Sequence, residues 1–283
     1  MPASRARGTH WRKTLAQVCE RDGAIELALA PPEGGEGPSR GDLVWRVRLL
    51  RVGDDEMLVE TPRALGRDVP IATGTELVGA IVIGQNRWTF RARVLAAFVP
   101  HRAPQGGTLA IEMPDHLERC QRRHGRYDAT GLQLPTVDLW SLLDPSSVVP
   151  MQRAAMPLIE HALAGHPIDA SVLDEYQPVV GPRFSATLMN IGGGGVGVRL
   201  EPADAVILAH HPVLWVRIPL GDAMPVPLLA TGKVVHTHLD SAQFTYAGLA
   251  FDFSFNPAAQ RLITEQILFT IEAQQRRQPL RAA

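Results

Sequence analysis

The densest run of one functional group in this chain is Gln121-Arg122-Arg123-His124-Gly125-Arg126. A guanidinium is always charged, stacks on flat π systems, and grips phosphate or the O6/N7 edge of guanine with a two-pronged fork. Stacking of this kind is worth about 0.5–2 kcal/mol depending on desolvation. A bidentate guanine contact supplies roughly 1–3 kcal/mol of discrimination. Taken alone, the block reads as a solvated linker between domains. A second stretch shifts the balance: Asn190-Ile191-Gly192-Gly193-Gly194-Gly195 precedes an apolar run at a predicted strand start, where a backbone without side chains lets a ligand come close. Two arginines on a linker, facing such a stretch, could fold over an anionic guanine ligand.

Other chemistry-bearing patterns do not hold up. Gly37-Pro38-Ser39-Arg40-Gly41 matches the nucleophile-elbow spacing but lies in a Pro/Gly loop rather than at a strand-to-helix turn. Gly232-Lys233 lacks the glycine spacing and the following Ser/Thr of a phosphate-binding loop. His236 and His238 point to one face of a predicted strand and His210-His211 falls in a predicted turn, but neither pair has a third ligand in a local motif, so no metal site is expected. Asp54-Asp55-Glu56 occupies a solvated turn and forms no acid/base dyad. The chain is not expected to be an enzyme or to carry a cofactor.

Composition sets the frame for these residues. The 283 residues suit two domains, 45% hydrophobic and 20% charged residues suit a globular protein, and 25 Gly with 23 Pro favour turns and strands over long helices. A net charge of −1 leaves no whole-molecule field for DNA or RNA, so any basic site is local. Cys19 and Cys120 form neither a CxxC nor a zinc set and read as reduced thiols. No apolar run follows the basic N-terminus, and the longest one, Leu77 to Ile83, is too short to span a bilayer. A cytoplasmic location without membrane insertion is expected.

The elements that must position the site follow from periodicity. A short helix is predicted over Thr9 to Arg21, with Trp11, Leu15 and Val18 on one face. Period-2 alternation then marks strands at Leu43 to Leu49, Met57 to Glu60, Gly74 to Ile83, Trp88 to Val94 and Thr108 to Met113, a small antiparallel barrel or sandwich. Beyond the arginine block the pattern turns helical, at Leu139 to Leu143 and at Met151 to Leu163 with Gly165 as the stop. Strands return at Ser185 to Met189, Val196 to Leu200, Val213 to Ile218, Leu228 to His236 and Phe244 to Phe253. A final helix has Asn256 as cap, Pro257 in its first turn, and Leu262, Ile263, Ile267 and Ile271 as its apolar stripe.

At Arg122 to Arg126 and Asn190 to Gly195 the chain resembles the PilZ domains, bacterial receptors for cyclic di-GMP, whose signature is an RxxxR linker followed by [D/N]xSxxG on a β-barrel. The strands that follow, the segment Ala247 to Phe253 and the closing helix fit the same pattern. The preceding β domain resembles the N-terminal domain of flagellar-brake proteins. The resemblance implies a mainly β chain of two small antiparallel barrels. The first spans about 22–116. The second, PilZ-like, spans 117–283, with a helical insertion over about 133–178 and a C-terminal helix over about 256–277.

Carried over by position, it implies that Arg122 and Arg126 clamp guanine and phosphate, that Arg123 adds a phosphate contact, and that Asn190 and the backbone of Gly192, Gly194 and Gly195 meet the ligand's other side. Gly192 stands where the family has serine, so one hydroxyl contact is missing, a loss of about 0.5–1.5 kcal/mol, or more if charge-assisted. Two functions remain open. One is a cyclic di-GMP receptor that reorients its domains and engages a protein partner in the flagellar motor or secretion machinery, with outputs in motility, adhesion or exopolysaccharide. The other is a PilZ-like adaptor that binds protein without nucleotide. The insertion is read either as a homodimer or partner contact or as a structural elaboration.

Overall fold

The computed structural model describes residues 10–31, 43–83, 86–98, 106–119, 134–175, 177–192, 194–221, 224–239 and 243–277. Helix α1 (His10–Glu20) comes first, with Leu15 fully buried on its apolar face. It packs on the first of two closed rings of strands. That ring is made by β1 (Ala24–Leu29), β2 (Val44–Val52), β3 (Glu56–Glu60), β6 (Glu76–Ile83), β7 (Asn86–Phe98) and β8 (Thr108–Glu112). The short ribbon β4 (Arg63–Ala64) and β5 (Arg67–Asp68) projects between β3 and β6, and β9 (Glu118–Arg119) adds to the edge of β7. Along β2, Trp45, Val47 and Leu49 point inward and Arg46 and Arg48 outward, the period-2 pattern that a half-buried strand requires. Hydrogen bonding runs β1–β2–β3–β8–β7–β6 and back to β1, so no strand edge is left open.

The second ring is made by β10 (Thr136–Leu142), β11 (Val180–Ile191), β12 (Gly195–Leu200), β13 (Val213–Ile218), β14 (Leu228–Leu239) and β15 (Thr245–Asp252). Its bonding runs β10–β11–β12–β15–β14–β13 and back to β10. Counting only ring strands in chain order, both barrels have the order 1-2-3-6-5-4. The mainly β class and the antiparallel barrel expected from the sequence are what the chain adopts.

Helix α2 (Val148–Leu163) lies between β10 and β11, α3 (Pro202–His210) between β12 and β13, and α4 (Pro257–Arg276) closes the chain. Helix α4 packs on α2 and buries Leu262, Ile263, Ile267 and Ile271. The barrels meet where Ile191 of β11 pairs in parallel with Trp45 of β2. A second junction lies at the far end of α4. There the Gln275 carboxamide donates to Pro70 O at 2.8 Å and accepts from Ala72 N at 3.1 Å, standing in for a strand neighbour.

Several local expectations are corrected. Leu139 to Leu143, predicted helical, falls mostly in strand β10, because closing the second barrel needs a sixth strand and Val137, Leu139 and Trp140 are buried in it. The helical material between β10 and β11 is therefore narrower than 133–178, consisting of a 3₁₀ turn at Pro145–Ser147, α2, and a 3₁₀ turn at Ala170–Glu175. Ala24–Leu29 is a strand that its Ala/Leu/Glu-rich composition does not announce, since pairing on both sides overrides weak propensity. His210 ends a helix rather than lying in a turn. Asn256 holds the N-cap position of α4 and Pro257 the first helical position, but the Asn256 side chain makes no cap hydrogen bond.

Candidate functional site

The arginine block lies outside the described residues, and with it Arg122, Arg123 and Arg126; so do Cys120 and Gly193. Asn190, Gly192, Gly194 and Gly195 are brought together in the hairpin that joins β11 to β12. Asn190 and Ile191 end β11, Gly192 and Gly194 lie in the turn, and Gly195 opens β12, so the stretch is a hairpin turn rather than a strand start alone. The turn is closed by Gly192 N donating to Gly195 O at 2.8 Å, and it is tied to β15 by Phe251 N donating to Gly194 O at 2.8 Å.

Asn190 would face the wrong way in a regular strand. Leu188 points into the barrel, and a residue two positions on would do the same. The register slips between Leu188 and Asn190: Leu188 pairs with Val198, and Asn190 with Gly197. Met189 is the extra residue of a β-bulge, which re-aims the side chain after it. A second bulge does the same on β14, where Val234 pairs with Leu249 but His236 pairs with Gly248. The two bulges flank the same outer face.

That face is a grid. Its central row, Asn190–Gly197–Gly248–His236, runs across β11, β12, β15 and β14. On one side lies the row Thr187–Arg199–Tyr246–His238, on the other Gly195–Ala250–Lys233. The floor is glycine because the neighbours require it. A Cβ on Gly197 would sit 2.8 Å from Asn190 Oδ1, and one on Gly248 would sit 2.2 Å from His236 Cε1. On Gly195 it would meet Leu249 O at 1.9 Å, well inside any real contact. The Asn190 carboxamide and the His236 ring thus reach inward over a shelf one glycine deep. At Gly192 an added Cβ would meet, among the described residues, only Gly195 O at 3.9 Å, which leaves room for a serine.

The rim carries positive charge and rings. Arg199 lies over the Phe244 ring at 4.8 Å. His238 stacks on Tyr246 with centroids 5.1 Å apart. Lys233 Nζ is 2.6 Å from Asp252 Oδ2. The hydrogen bond from Lys233, with further ones from the Ser254 N–H and hydroxyl, holds the Asp252 carboxyl down at about 2. This pair therefore contributes fully above the ordinary carboxylate range and is lost only as pH falls towards that value. Beside the hairpin, a cleft of about 430 Å³ opens between Gly194, Phe253, Pro257 and Gln260 of this barrel and Leu65 and Gly66 of the β4–β5 turn in the first.

Among the described residues no group of three or more His, Cys, Asp or Glu is placed to hold a metal ion, and no helix is long and apolar enough to cross a membrane. Sequence reasoning put His236 and His238 on one face but weighed them only as metal ligands, and it passed over Gly197, Arg199, Tyr246 and Gly248 as parts of a site. The usable signal was Gly195-Val196-Gly197: alternating glycines empty one face of a strand while the apolar residues fill the other.

No protein-family model matches the chain, and no curated protein matches it. Several solved structures are similar at low identity. The Inhibitor of motility (MotI/DgrA) of Bacillus subtilis is 15% identical, with 86% of this chain and 94% of that chain covered and a TM-score of 0.29. K. pneumonia MrkH in its c-di-GMP complex is 13% identical, covering 91% and 92%, with a TM-score of 0.32. Escherichia coli YcgR in complex with c-di-GMP is 11% identical, covering 96% and 93%, with a TM-score of 0.27.

Proposed function

We propose that this chain is a PilZ-like, non-enzymatic receptor for cyclic di-GMP, with the nucleotide lying on the glycine shelf of the second barrel. The observation that carries the reading is the register row Asn190–Gly197–Gly248–His236: the two glycines let the Asn190 carboxamide and the His236 ring lie flat on the sheet, a low polar surface with Arg199 in the row beside it. A flat polar surface bordered by a guanidinium suits a planar, anionic ligand. Arg122 and Arg126 close over it from the preceding segment, Arg123 adds a phosphate contact, and Asn190 with the backbone of Gly192, Gly194 and Gly195 meets the other side. The chain is long enough for this. Pro135 O accepts from Leu188 N at 2.9 Å, beside the strand that carries Asn190. Leu134 is eight positions after Arg126, and an extended chain covers up to about 3.6 Å per residue, so the Arg126 backbone has roughly 29 Å of reach.

In this reading the chain works as two units, near 22–116 and 117–283, and bound ligand changes how they meet and what protein partner they present, given differential affinity for the two arrangements. Calorimetric titration with cyclic di-GMP tests it. Saturable binding that Arg122→Ala and Arg126→Ala each weaken strongly is expected; no binding at high micromolar ligand overturns the reading. One observation favours the adaptor alternative, the missing hydroxyl at Gly192. A partner capture insensitive to added nucleotide, together with a flat titration, would establish it.

A further inference from the structure

Two rings at the edge of the shelf are set like the walls of a slot. His236 and His238 are exposed, two residues apart on one face of β14, with centroids 6.5 Å apart and planes within 11° of parallel. Strand geometry alone explains the spacing, since two residues advance about 6.4–6.8 Å. It does not explain the parallel planes. Those come from separate supports: His236 is laid over the bare backbone of Gly248, and His238 is backed by Tyr246, stacked within 10° of parallel on the neighbouring strand. Each ring thus has its own support on the neighbouring strand, and both are exposed. The 6.5 Å centroid separation is the upper limit of the gap between the two planes, near twice the ~3.4 Å spacing of stacked bases.

We propose that the His236–His238 gap is a stacking slot for a nucleobase. Stacking is tolerant of base identity because every base presents a π face, so the slot supplies affinity and orientation rather than base selection. The remainder rests on the receptor reading. Asn190 reaches over Gly197 and His236 over Gly248 on the adjacent strand, so a dinucleotide held by one guanine at Asn190 brings its second guanine within reach of the slot. The chemistry on the two sides differs accordingly, with guanidinium forks at one end and imidazole ring faces at the other.

The test follows the imidazole ring resonances of the full chain by NMR during titration with GMP and, separately, with cyclic di-GMP, beside calorimetry on variants. Upfield shifts of both the His236 and His238 ring protons are expected, with His210 and His211 unmoved. His236→Ala and His238→Ala should each weaken nucleotide binding about 5- to 100-fold, whereas His236→Phe and His238→Phe, which keep a flat ring, should stay within about 3-fold of the native chain. Phenylalanine variants as weak as the alanine ones overturn the slot, because the rings would then act through a proton or a hydrogen bond. Rings silent towards both nucleotides overturn it as well. Cyclic di-GMP binding with silent rings keeps the receptor and sinks the slot; ring shifts with GMP but no cyclic di-GMP binding keeps the slot and sinks the receptor.

Discussion

The two barrels share one strand order, one hairpin closure and the same pair of bulges, yet present opposite outer faces. Gly53 N donates to Glu56 O at 2.8 Å in the first barrel, as Gly192 N does to Gly195 O in the second. The first barrel slips register between Leu49 and Arg51 and again between Val94 and Ala96, where the second slips at Leu188/Asn190 and Val234/His236. The row that reads Asn190–Gly197–Gly248–His236 in one barrel reads Arg51–Leu58–Ala110–Ala96 in the other. In the first barrel Arg51 is paired with Glu56, and Arg48 with Glu60, so those guanidiniums answer carboxylates on the barrel itself. Leu58 fills the position held by Gly197, and Ala96 and Phe98 stand where the second barrel has His236 and His238. Shared backbone geometry therefore does not make a site. The residues that stand along the row differ, and the first barrel is an internal control for the site proposed on the second.

The comparison can be broken most severely by copying one row into the other. Gly197→Leu, the residue type of Leu58, should abolish cyclic di-GMP binding in calorimetry and lower thermal stability, because the new side chain collides with Asn190 Oδ1 and covers the shelf; overpacking of this kind costs about 1–3 kcal/mol. Next come Arg122→Ala and Arg126→Ala, each expected to weaken binding by about 5- to 150-fold if each removes one guanine or phosphate contact worth 1–3 kcal/mol; unchanged affinity in both would remove the arginines from the site. Gly192→Ser should leave binding unchanged or strengthen it by up to about tenfold, the value of one recovered hydrogen bond, with no loss of stability in thermal melts since the position leaves room for a serine. Smallest of all, Arg51→Ala in the first barrel should leave nucleotide affinity untouched and shift stability by about 0–1 kcal/mol, the worth of an exposed ion pair. A binding defect there would show that the two faces are not independent.

Much of this architecture was legible in the sequence because alternation is a direct print of burial: Trp45, Val47 and Leu49 against Arg46 and Arg48 leave little freedom. The hairpin residues Asn190 to Gly195 were legible through their resemblance to a known signature. The bulges were not, since one extra residue in a ladder leaves no mark in composition, and without them Asn190 and His236 would face inward. Strand β10 was misread because Leu139, Leu142 and Leu143 also fit a helical spacing, and the tie is broken by β11 and β13, which lie far away in the chain. The common strand order of the two barrels was hidden because the equivalent positions, Leu58 and Gly197 or Ala96 and His236, have nothing in common as residue types.

Gln275 gives the assembly a mechanical character. Besides a continuous apolar core, the barrels are joined by the Trp45–Ile191 strand pair next to the β11–β12 hairpin and by the carboxamide of Gln275 on Pro70 and Ala72 at the other end of a 20-residue helix, a rod about 30 Å long. A rod whose apolar stripe is buried in one barrel and whose last turn is bonded to the other acts as a strut, resisting separation of the two.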